Sequence, residues 1–188
     1  MIRRCTWLGA LLLAAPLFLS PAAANDDARA AQLDGLFDAL AASESAEEAA
    51  AVEAQIWRIW AYSGSPTVDL LMQRGLEAMA SQEYAVALDL FSTVIDLAPD
   101  YAEAWSKRAT LFYLIDDYEA AIADVTQTLV REPRHWAALM GLAVMFEDMG
   151  EDERALSAYR TTLQINPQLE TAREAVERLS VAVDGRRI

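Results

Sequence analysis

Histidine, cysteine and clustered carboxylates are the residues of this chain that could bind a metal or act as acids, bases or nucleophiles. The chain has one histidine, His135, and one cysteine, Cys5. A zinc site draws several ligands from histidine, cysteine and carboxylate side chains at fixed spacing, and neither residue has such partners nearby in sequence. His135 follows Pro133 at the start of a predicted helix, which indicates a capping or solvent-exposed residue.

Carboxylates form three clusters beside two predicted turns of the chain: Asp116-Asp117 at one, and Glu147-Asp148 and Glu151-Asp152-Glu153 at the other. None of these clusters has the ligand spacing and central glycine of a calcium loop. Acidic residues at turns and in the first turn of a helix are favoured by the helix dipole alone. The chain also lacks a Gly-x-Ser-x-Gly elbow and a glycine-rich phosphate loop. We therefore predict a protein that is not an enzyme and has no metal and no cofactor.

The first 24 residues have the three parts of a secretory signal. Arg3 and Arg4 form a charged end, an apolar stretch runs from Trp7 to Leu19, and Ala22-Ala23-Ala24 forms a small-residue cleavage site. The apolar stretch is shorter than the roughly 20 residues that span a bilayer. This length favours cleavage and an exported, periplasmic protein over the alternative of an uncleaved inner-membrane anchor. The mature chain would contain no cysteine and form no disulfide.

Acidic residues outnumber basic ones, 29 against 15, so that the formal net charge is −14. Removal of the two arginines of the signal would change this charge to −16. A surface of this charge repels nucleic acid and anionic lipid, and we expect neither as a partner. The charge would attract a basic protein. The alternative interpretation is that it serves only to keep the protein soluble.

Two residue types recur along the chain at a fixed interval of 34 residues: Pro99, Pro133 and Pro167, and Ala87, Ala121 and Ala155. Self-similarity at this interval is typical of a helix-turn-helix repeat whose units stack to bury their cores. Small and large residues keep the same interval, as in the columns Gly75/Ala109/Ala143 and Phe91/Val125/Tyr159. Two antiparallel helices need this arrangement, because their backbones approach closely only where one offers a small residue to a bulky one of the other.

The pattern predicts six repeat helices over residues 66–80, 84–97, 101–114, 118–131, 135–148 and 152–165. A capping helix follows and ends at 183, and we expect residues 184–188 to fray. Between the signal and residue 65 lie two further helices, whose apolar face includes Ile56, Trp57 and Trp60. Because so apolar a face does not stay exposed, we expect the pair to cap the first repeat, with a dimer interface as the alternative.

The three units resemble the tetratricopeptide repeat family when Val68, Ala102 and Trp136 are taken as their first positions. The small, bulky and proline columns then fall where the family keeps these types, except that Ala78 and Val125 replace aromatic residues. The resemblance covers residues 68–169 and, with the trailing helix, extends to 183. It implies an all-α, right-handed superhelical solenoid of three repeats, whose first helices line a concave groove that binds peptides or helices. As a whole the chain is similar to small exported repeat proteins of Gram-negative bacteria.

The resemblance also implies which residues line the groove, a set that is apolar with an acidic edge: Asp69, Met72, Leu76, Met79, Ala80, Glu103, Ser106, Thr110, Tyr113, Leu114, Ala137, Met140, Val144, Glu147 and Asp148. Flexible, polarizable methionines would provide an adaptable surface for an amphipathic segment. Glu103, Glu147 and Asp148 would select basic residues beside it. Some family members clamp a carboxylate tail with Lys and Asn where this chain has Met72 and Leu76, so the sequence does not predict that clamp.

These observations predict a non-catalytic periplasmic adaptor or scaffold that holds a peptide or helix of another envelope protein in its groove. A basic partner protein is expected, and a small-molecule substrate is not. The alternative is a self-associating structural subunit, such as a homodimer, in which the face of Trp57 and Trp60 drives association and the protein's own N-terminal helix fills the groove.

Overall fold

The computed structural model describes residues 21–185. Within this range the chain forms nine helices and no strand: α1 Pro21–Ala41, α2 Ala46–Trp60, α3 Pro66–Ala80, α4 Tyr84–Leu97, α5 Ala102–Leu114, α6 Tyr118–Arg131, α7 Trp136–Asp148, α8 Asp152–Ile165 and α9 Glu170–Gly185. The predicted all-α fold class is confirmed. Residues 1–20 of the proposed signal sequence lie outside the described range, and export stays a prediction. Of the described helices, none has the length and apolar character that crossing a bilayer requires.

Helices α3 to α8 form three antiparallel pairs, and their bounds agree with the predicted ones to within one residue. Pro66 occupies the first turn of α3, where its missing N–H leaves no hydrogen bond unmade. Asp117 caps α6 through its side chain, which accepts a hydrogen bond from the N–H of Ala120 at 3.2 Å. Local sequence signals thus account for where α3 and α6 begin.

The turn inside each repeat contains one residue in the left-handed backbone region. These residues are Gln82 at φ 60°, Asp116 at φ 61° and Gly150 at φ 73°. They follow one another at the 34-residue interval, although their types differ. Only glycine adopts this conformation without strain from a Cβ atom, so the first two repeats keep the turn geometry with less suitable residues.

The small and large columns meet in the core as expected. A Cβ atom on Gly75 would lie 2.5 Å from Cε1 of Phe91, whose side chain is fully buried. Ala87, Ala121 and Ala155 are also fully buried. Close approach of the two helices in each repeat therefore depends on these small residues.

Helix α9 packs against α8 through a buried face that consists of Ala172, Ala175, Leu179 and Val183. The helix continues for two residues past the predicted end. Asp184 and Gly185 are therefore helical rather than frayed, and residues 186–188 lie outside the described range.

The N-terminal helices α1 and α2 form a hairpin that does not cap the first repeat, contrary to the prediction. Trp60 stacks on His135, with ring centroids 4.4 Å apart, and Trp57 packs edge-on against Trp136 at 5.5 Å. The physical reason is the aromatic pair His135 and Trp136 at the start of α7, since the first repeat offers only Thr67 and Val68 at the equivalent positions. Trp57 is half-buried and Trp60 is only 5% exposed. Both tryptophans thus pack within the chain, and a dimer stays a prediction.

Candidate functional site: the concave groove

The first helices of the second and third repeats, α5 and α7, form the walls of a cavity of about 180 Å³ on the concave side, which we call the groove cavity. Its lining is mainly apolar, and α5 adds the hydroxyl groups of Ser106, Thr110 and Tyr113. The lining residues are Ser106, Ala109, Thr110 and Tyr113 from α5, Val125 from α6, and Ala137, Ala138, Gly141, Val144 and Met145 from α7. A concave, mostly apolar site with a few polar groups is the usual form of a binding pocket in proteins.

Small side chains on α7 keep the groove cavity open. Ala137, Gly141 and Val144 follow one another at intervals of four and three residues, which places them on one face of the helix. A Cβ atom on Gly141 would meet no atom within 4 Å. The space next to Gly141 can therefore accept an apolar side chain from a ligand.

A tyrosine and an aspartate form a polar rim at the C-terminal ends of α5 and α7. The hydroxyl of Tyr113 donates to Oδ2 of Asp148 at 2.9 Å. This hydrogen bond raises the pKa of the Tyr113 hydroxyl, because a phenol that donates to a carboxylate is held in its neutral form. The ring of Tyr113 packs edge-on against Tyr118, with centroids 5.8 Å apart. Asp148 itself is exposed, so one carboxylate of the predicted acidic edge lies where a ligand can reach it.

Glu147 is engaged in the fold, contrary to its predicted role in selecting basic residues. Its carboxylate accepts hydrogen bonds from Nη1 of Arg178 and from the hydroxyl of Tyr159, both at 2.6 Å. The bond from Arg178 is the main reason that the pKa of Glu147 lies below its ordinary value. Glu147 thus connects α7 to α8 and α9 instead of facing the groove with a free charge.

Glu103 is also removed from the acidic edge, because it is only 4% exposed. It accepts a hydrogen bond from Nε2 of His135 at 2.8 Å and forms an ion pair with Lys107 at 3.3 Å. Nδ1 of His135 accepts the N–H of Ala138 at 3.1 Å, which assigns the ring proton to Nε2. His135 is therefore a buried capping residue, which confirms capping, one of the two predicted alternatives, rather than solvent exposure. Nowhere in residues 21–185 do three His, Cys, Asp or Glu side chains group as metal ligands.

The methionines predicted to form an adaptable surface pack in the core or against it. Met72 is 6% exposed and belongs to the cluster around Phe91, while Met79 and Met140 are half-buried against neighbouring clusters. Asp69 accepts hydrogen bonds from the N–H and the hydroxyl of Ser63 and so fixes the linker before α3. None of the three methionines lines the groove cavity.

Only some of the predicted groove residues line the groove cavity. Ser106, Thr110, Tyr113, Ala137 and Val144 line it, and Asp148 lies at its rim. Leu76 and Leu114 are exposed away from the lining, as is Ala80. Five lining residues are not in the predicted set: Ala109, Val125, Ala138, Gly141 and Met145. The small-residue spacing in α7 is the signal that would have revealed Gly141.

The N-terminal hairpin covers one end of the groove. Ala137 packs against the apolar cluster of the hairpin that contains Phe37, Ile56 and Trp60. Nζ of Lys107 lies 5.2 Å from the centroid of the Trp57 ring. Trp57 also contacts His135 edge-on at 5.8 Å. The accessible part of the groove therefore runs from the hairpin toward the rim at Tyr113 and Asp148.

Comparison with protein families finds two matches to a tetratricopeptide repeat model, over residues 72–125 and 115–170. A TPR repeat-containing protein from Rhizobium etli is 36% identical over 156 residues, which cover 83% of this chain and 76% of that protein. The small glutamine-rich tetratricopeptide repeat-containing protein 2 of Saccharomyces cerevisiae is 28% identical over 136 residues, but the match spans only 38% of its length.

Solved structures show the same architecture. The Sgt2 TPR domain from Aspergillus fumigatus superposes with a TM-score of 0.59 at 25% identity, over 65% of this chain and 83% of that one. MamA superposes with a TM-score of 0.59 at 19% identity, over 90% of this chain and 87% of that one. The second likeness concerns the fold alone.

Proposed function

The chain belongs to the tetratricopeptide repeat family, and from this premise we propose that it is a non-catalytic adaptor that binds a helix or peptide of another protein in the groove cavity. The observation that carries the proposal is the open apolar space beside Gly141, with an exposed carboxylate, that of Asp148, at the rim. A single apolar anchor side chain fits a cavity of about 180 Å³. Anchors of this kind, flanked by polar contacts, are how grooves recognise amphipathic segments.

Charge supports a basic residue next to the anchor. Asp148 is exposed at the rim, and Asp116 is exposed in the turn that follows α5. The whole chain has a formal charge of −14, which would steer a basic segment toward the surface and speed its association. We infer a ligand segment with one apolar residue for the groove cavity and a Lys or Arg near the rim.

Relatives support binding to other proteins in general terms. A heat-shock protein cognate co-chaperone, sgt12 of Aspergillus fumigatus, is 30% identical over 104 residues, although the match spans 30% of that protein. The first TPR of Spaghetti (RPAP3) was solved with an HSP90 peptide bound and shares the fold at 17% identity. Members of the family act as protein-interaction modules, and a protein ligand for this chain agrees with that use.

We further propose that the protein works in the periplasm. Support comes from the charged, apolar and small-residue parts of residues 1–24. The relevant partner would then be another envelope protein.

The test compares two variants with the same substitution. Gly141→Trp fills the groove cavity, whereas Gly35→Trp places the same side chain on the exposed surface of α1, where a Cβ also meets nothing within 4 Å. Affinity capture from solubilised cell envelopes, quantified by mass spectrometry, should recover one enriched protein with the wild type and with Gly35→Trp. Gly141→Trp should recover it at least about tenfold less. Equal recovery with both variants, both folded by circular dichroism, would contradict binding in the groove cavity.

A further inference from the structure

A second cavity, of about 620 Å³, lies between the N-terminal hairpin and the loops that precede α5 and α7. We call it the hairpin cavity. Its lining comes from α1 with Arg29 and Leu33, from the end of α2 with Trp60, from the segment 97–103, and from the end of α6 with Arg131 and the loop beyond. This volume is in the range of small-molecule sites. Except for Glu103, none of the residues assigned to the groove lines it, so the inference below is independent of the proposed function.

Two arginines of the hairpin cavity have no carboxylate partner within residues 28–185, the part of the chain whose side chains the structure describes. Nη2 of Arg29 donates to the carbonyl oxygen of Ile59 at 2.8 Å. Arg131 donates to the carbonyl oxygens of Pro99 and Gln127. By contrast Arg134, at the same cavity, forms an ion pair with Asp34 at 2.8 Å. In a chain with almost twice as many acidic as basic residues, one cavity is thus lined by two guanidinium groups for which the structure describes no ion pair.

Trp60 adds a hydrogen-bond donor without an acceptor. It lines the hairpin cavity and is only 5% exposed, and its indole Nε1–H is buried without a hydrogen-bond partner in the described part of the chain. The ring is fixed by its parallel stacking on His135. An indole N–H can only donate, and buried donors are almost always paired in native proteins. Because the N–H is enclosed by protein atoms, a ligand in the cavity would contact the ring of Trp60 rather than this donor, and the indole signal would report that contact.

The N-terminus of α5 contributes further donors. Tyr101 is its N-cap residue, but its side chain forms no capping bond and its hydroxyl donates instead to the carbonyl oxygen of Ala61 at 3.0 Å. The first-turn N–H groups, at Ala102 and Glu103, thus lack a side-chain cap and carry the positive end of the helix dipole. Both residues line the cavity.

Three carboxylates also lie on the lining. Glu103 is held by His135 and Lys107, Glu132 shares Arg134 with Asp34, and Asp100 is exposed. These three acids balance the three arginines of the lining in formal charge, and Arg29 and Arg131 are the two of these arginines for which the structure describes no ion pair.

We infer that the hairpin cavity binds an apolar carboxylate, with its carboxylate group between Arg29 and Arg131 and its apolar body against Leu33 and Leu97. Guanidinium groups match the geometry and charge of a carboxylate. Leu97, at the mouth, is 59% exposed and would be covered by the ligand. A peptide that ends in an apolar residue and a free carboxylic acid share this chemistry.

The test uses the indole N–H signals of the full chain in ¹⁵N-labelled protein, with the Trp60 signal assigned by its loss in Trp60→Phe. N-acetyl-leucine stands for an apolar C-terminal residue, octanoate for a free carboxylic acid, and N-acetyl-leucinamide for the same body without charge. Titration with at least one of the two acids should shift the Trp60 signal at millimolar concentration, and the amide should not shift it. Tighter binding of N-acetyl-leucine would indicate a peptide C-terminus as the ligand, and tighter binding of octanoate a free carboxylic acid.

Substitution distinguishes the site from general charge effects. Arg29→Gln and Arg131→Gln should each weaken acid binding about tenfold, since each removes a charge-assisted hydrogen bond. Arg74→Gln, an exposed arginine of α3 outside the cavity, makes the same change in net charge and should leave binding unchanged. The inference is overturned if the amide shifts the Trp60 signal as strongly as the acids do, or if neither acid shifts it at about 10 mM. Both comparisons use the wild type, so they stand even if an arginine variant fails to fold.

Discussion

The Nε2–H of His135 donates to Oε1 of Glu103 across 2.8 Å, which joins the residue before α7 to the first turn of α5. The two side chains are 0% and 5% exposed, so this polar contact lies inside the junction of the second and third repeats. Trp60 of the N-terminal hairpin stacks on the same histidine. One buried hydrogen bond therefore fixes both the stacking of repeats and the seat of the hairpin.

Glu103→Gln should lower stability at neutral pH by about 1 kcal/mol, because a neutral amide loses the charge that His135 and Lys107 stabilise. Burial opposes ionisation of Glu103, but these two partners outweigh it and hold its pKa below the ordinary value of 4.5. A carboxyl whose folded pKa is lowered stabilises the protein fully above the unfolded pKa and loses that effect as the pH falls through the folded value. Urea unfolding at pH 7 and at successive values below 4.5 measures the difference, which should shrink with acidification. A difference that is independent of pH would contradict this account of the contact.

Gly75→Ala and Gly141→Ala should change stability in opposite directions. Alanine is the better helix former at both positions, but a Cβ on Gly75 would meet the ring of Phe91 at 2.5 Å, whereas one on Gly141 meets nothing within 4 Å. We expect Gly75→Ala to destabilise by about 1 to 3 kcal/mol and Gly141→Ala to stabilise by about 0.5 to 1 kcal/mol. Chemical denaturation of the two variants and the wild type decides. Changes of the same sign would show that the contact with Phe91 does not set the helix separation.

Gln82→Gly should stabilise the fold by about 1 kcal/mol, because it removes the strain of a left-handed residue that has a Cβ atom. The third repeat already has glycine at this place, Gly150, so Gly150→Ala is the reverse experiment and should destabilise by a similar amount. Melting temperatures of both variants measure the effect. Loss of stability in Gln82→Gly would mean that the glutamine side chain contributes more than its backbone strain costs.

Ala121→Arg should prevent folding. Ala121 is 0% exposed to solvent and lies in the buried cluster that contains Ala109 and Val125. Arginine would place a long charged side chain where two helices touch, which combines overpacking with burial of an unpaired charge. Far-ultraviolet circular dichroism is the measurement, and Glu119→Arg, at an exposed position of the same helix, is the control. A folded Ala121→Arg with normal stability would overturn the repeat register.

Most of the repeat fold could be predicted from the sequence, because the core positions of each helix pair hold residue types that recur at the 34-residue interval. Gly75 opposite Phe91 is such a case, and the structure confirms it. The seat of the N-terminal hairpin could not be predicted in this way, since it occurs once. It depends on which loop offers an aromatic partner to Trp60, and that is His135 rather than a residue of the first repeat.

The candidate site was predicted less well, because a position on a helix face does not reveal which partner a side chain finds. Glu103 and Glu147 occupy expected groove positions, yet each is drawn into the fold by a neighbour distant in sequence, His135 and Arg178 respectively. Gly141 was missed because the implied groove positions do not include it. Only the three-dimensional arrangement shows that its missing side chain leaves the space open.

The most direct test of the central proposal is photo-crosslinking in intact cells from a probe at Thr110, on the wall of the groove cavity. Thr126 provides a matched control, because it is an exposed threonine on the second helix of the same repeat and likewise donates to the carbonyl four residues earlier. We predict that the probe at Thr110 captures one dominant foreign protein and that the probe at Thr126 does not. Capture of only the protein itself from Thr110, or the same products from both positions, would contradict an adaptor that binds its partner in this groove.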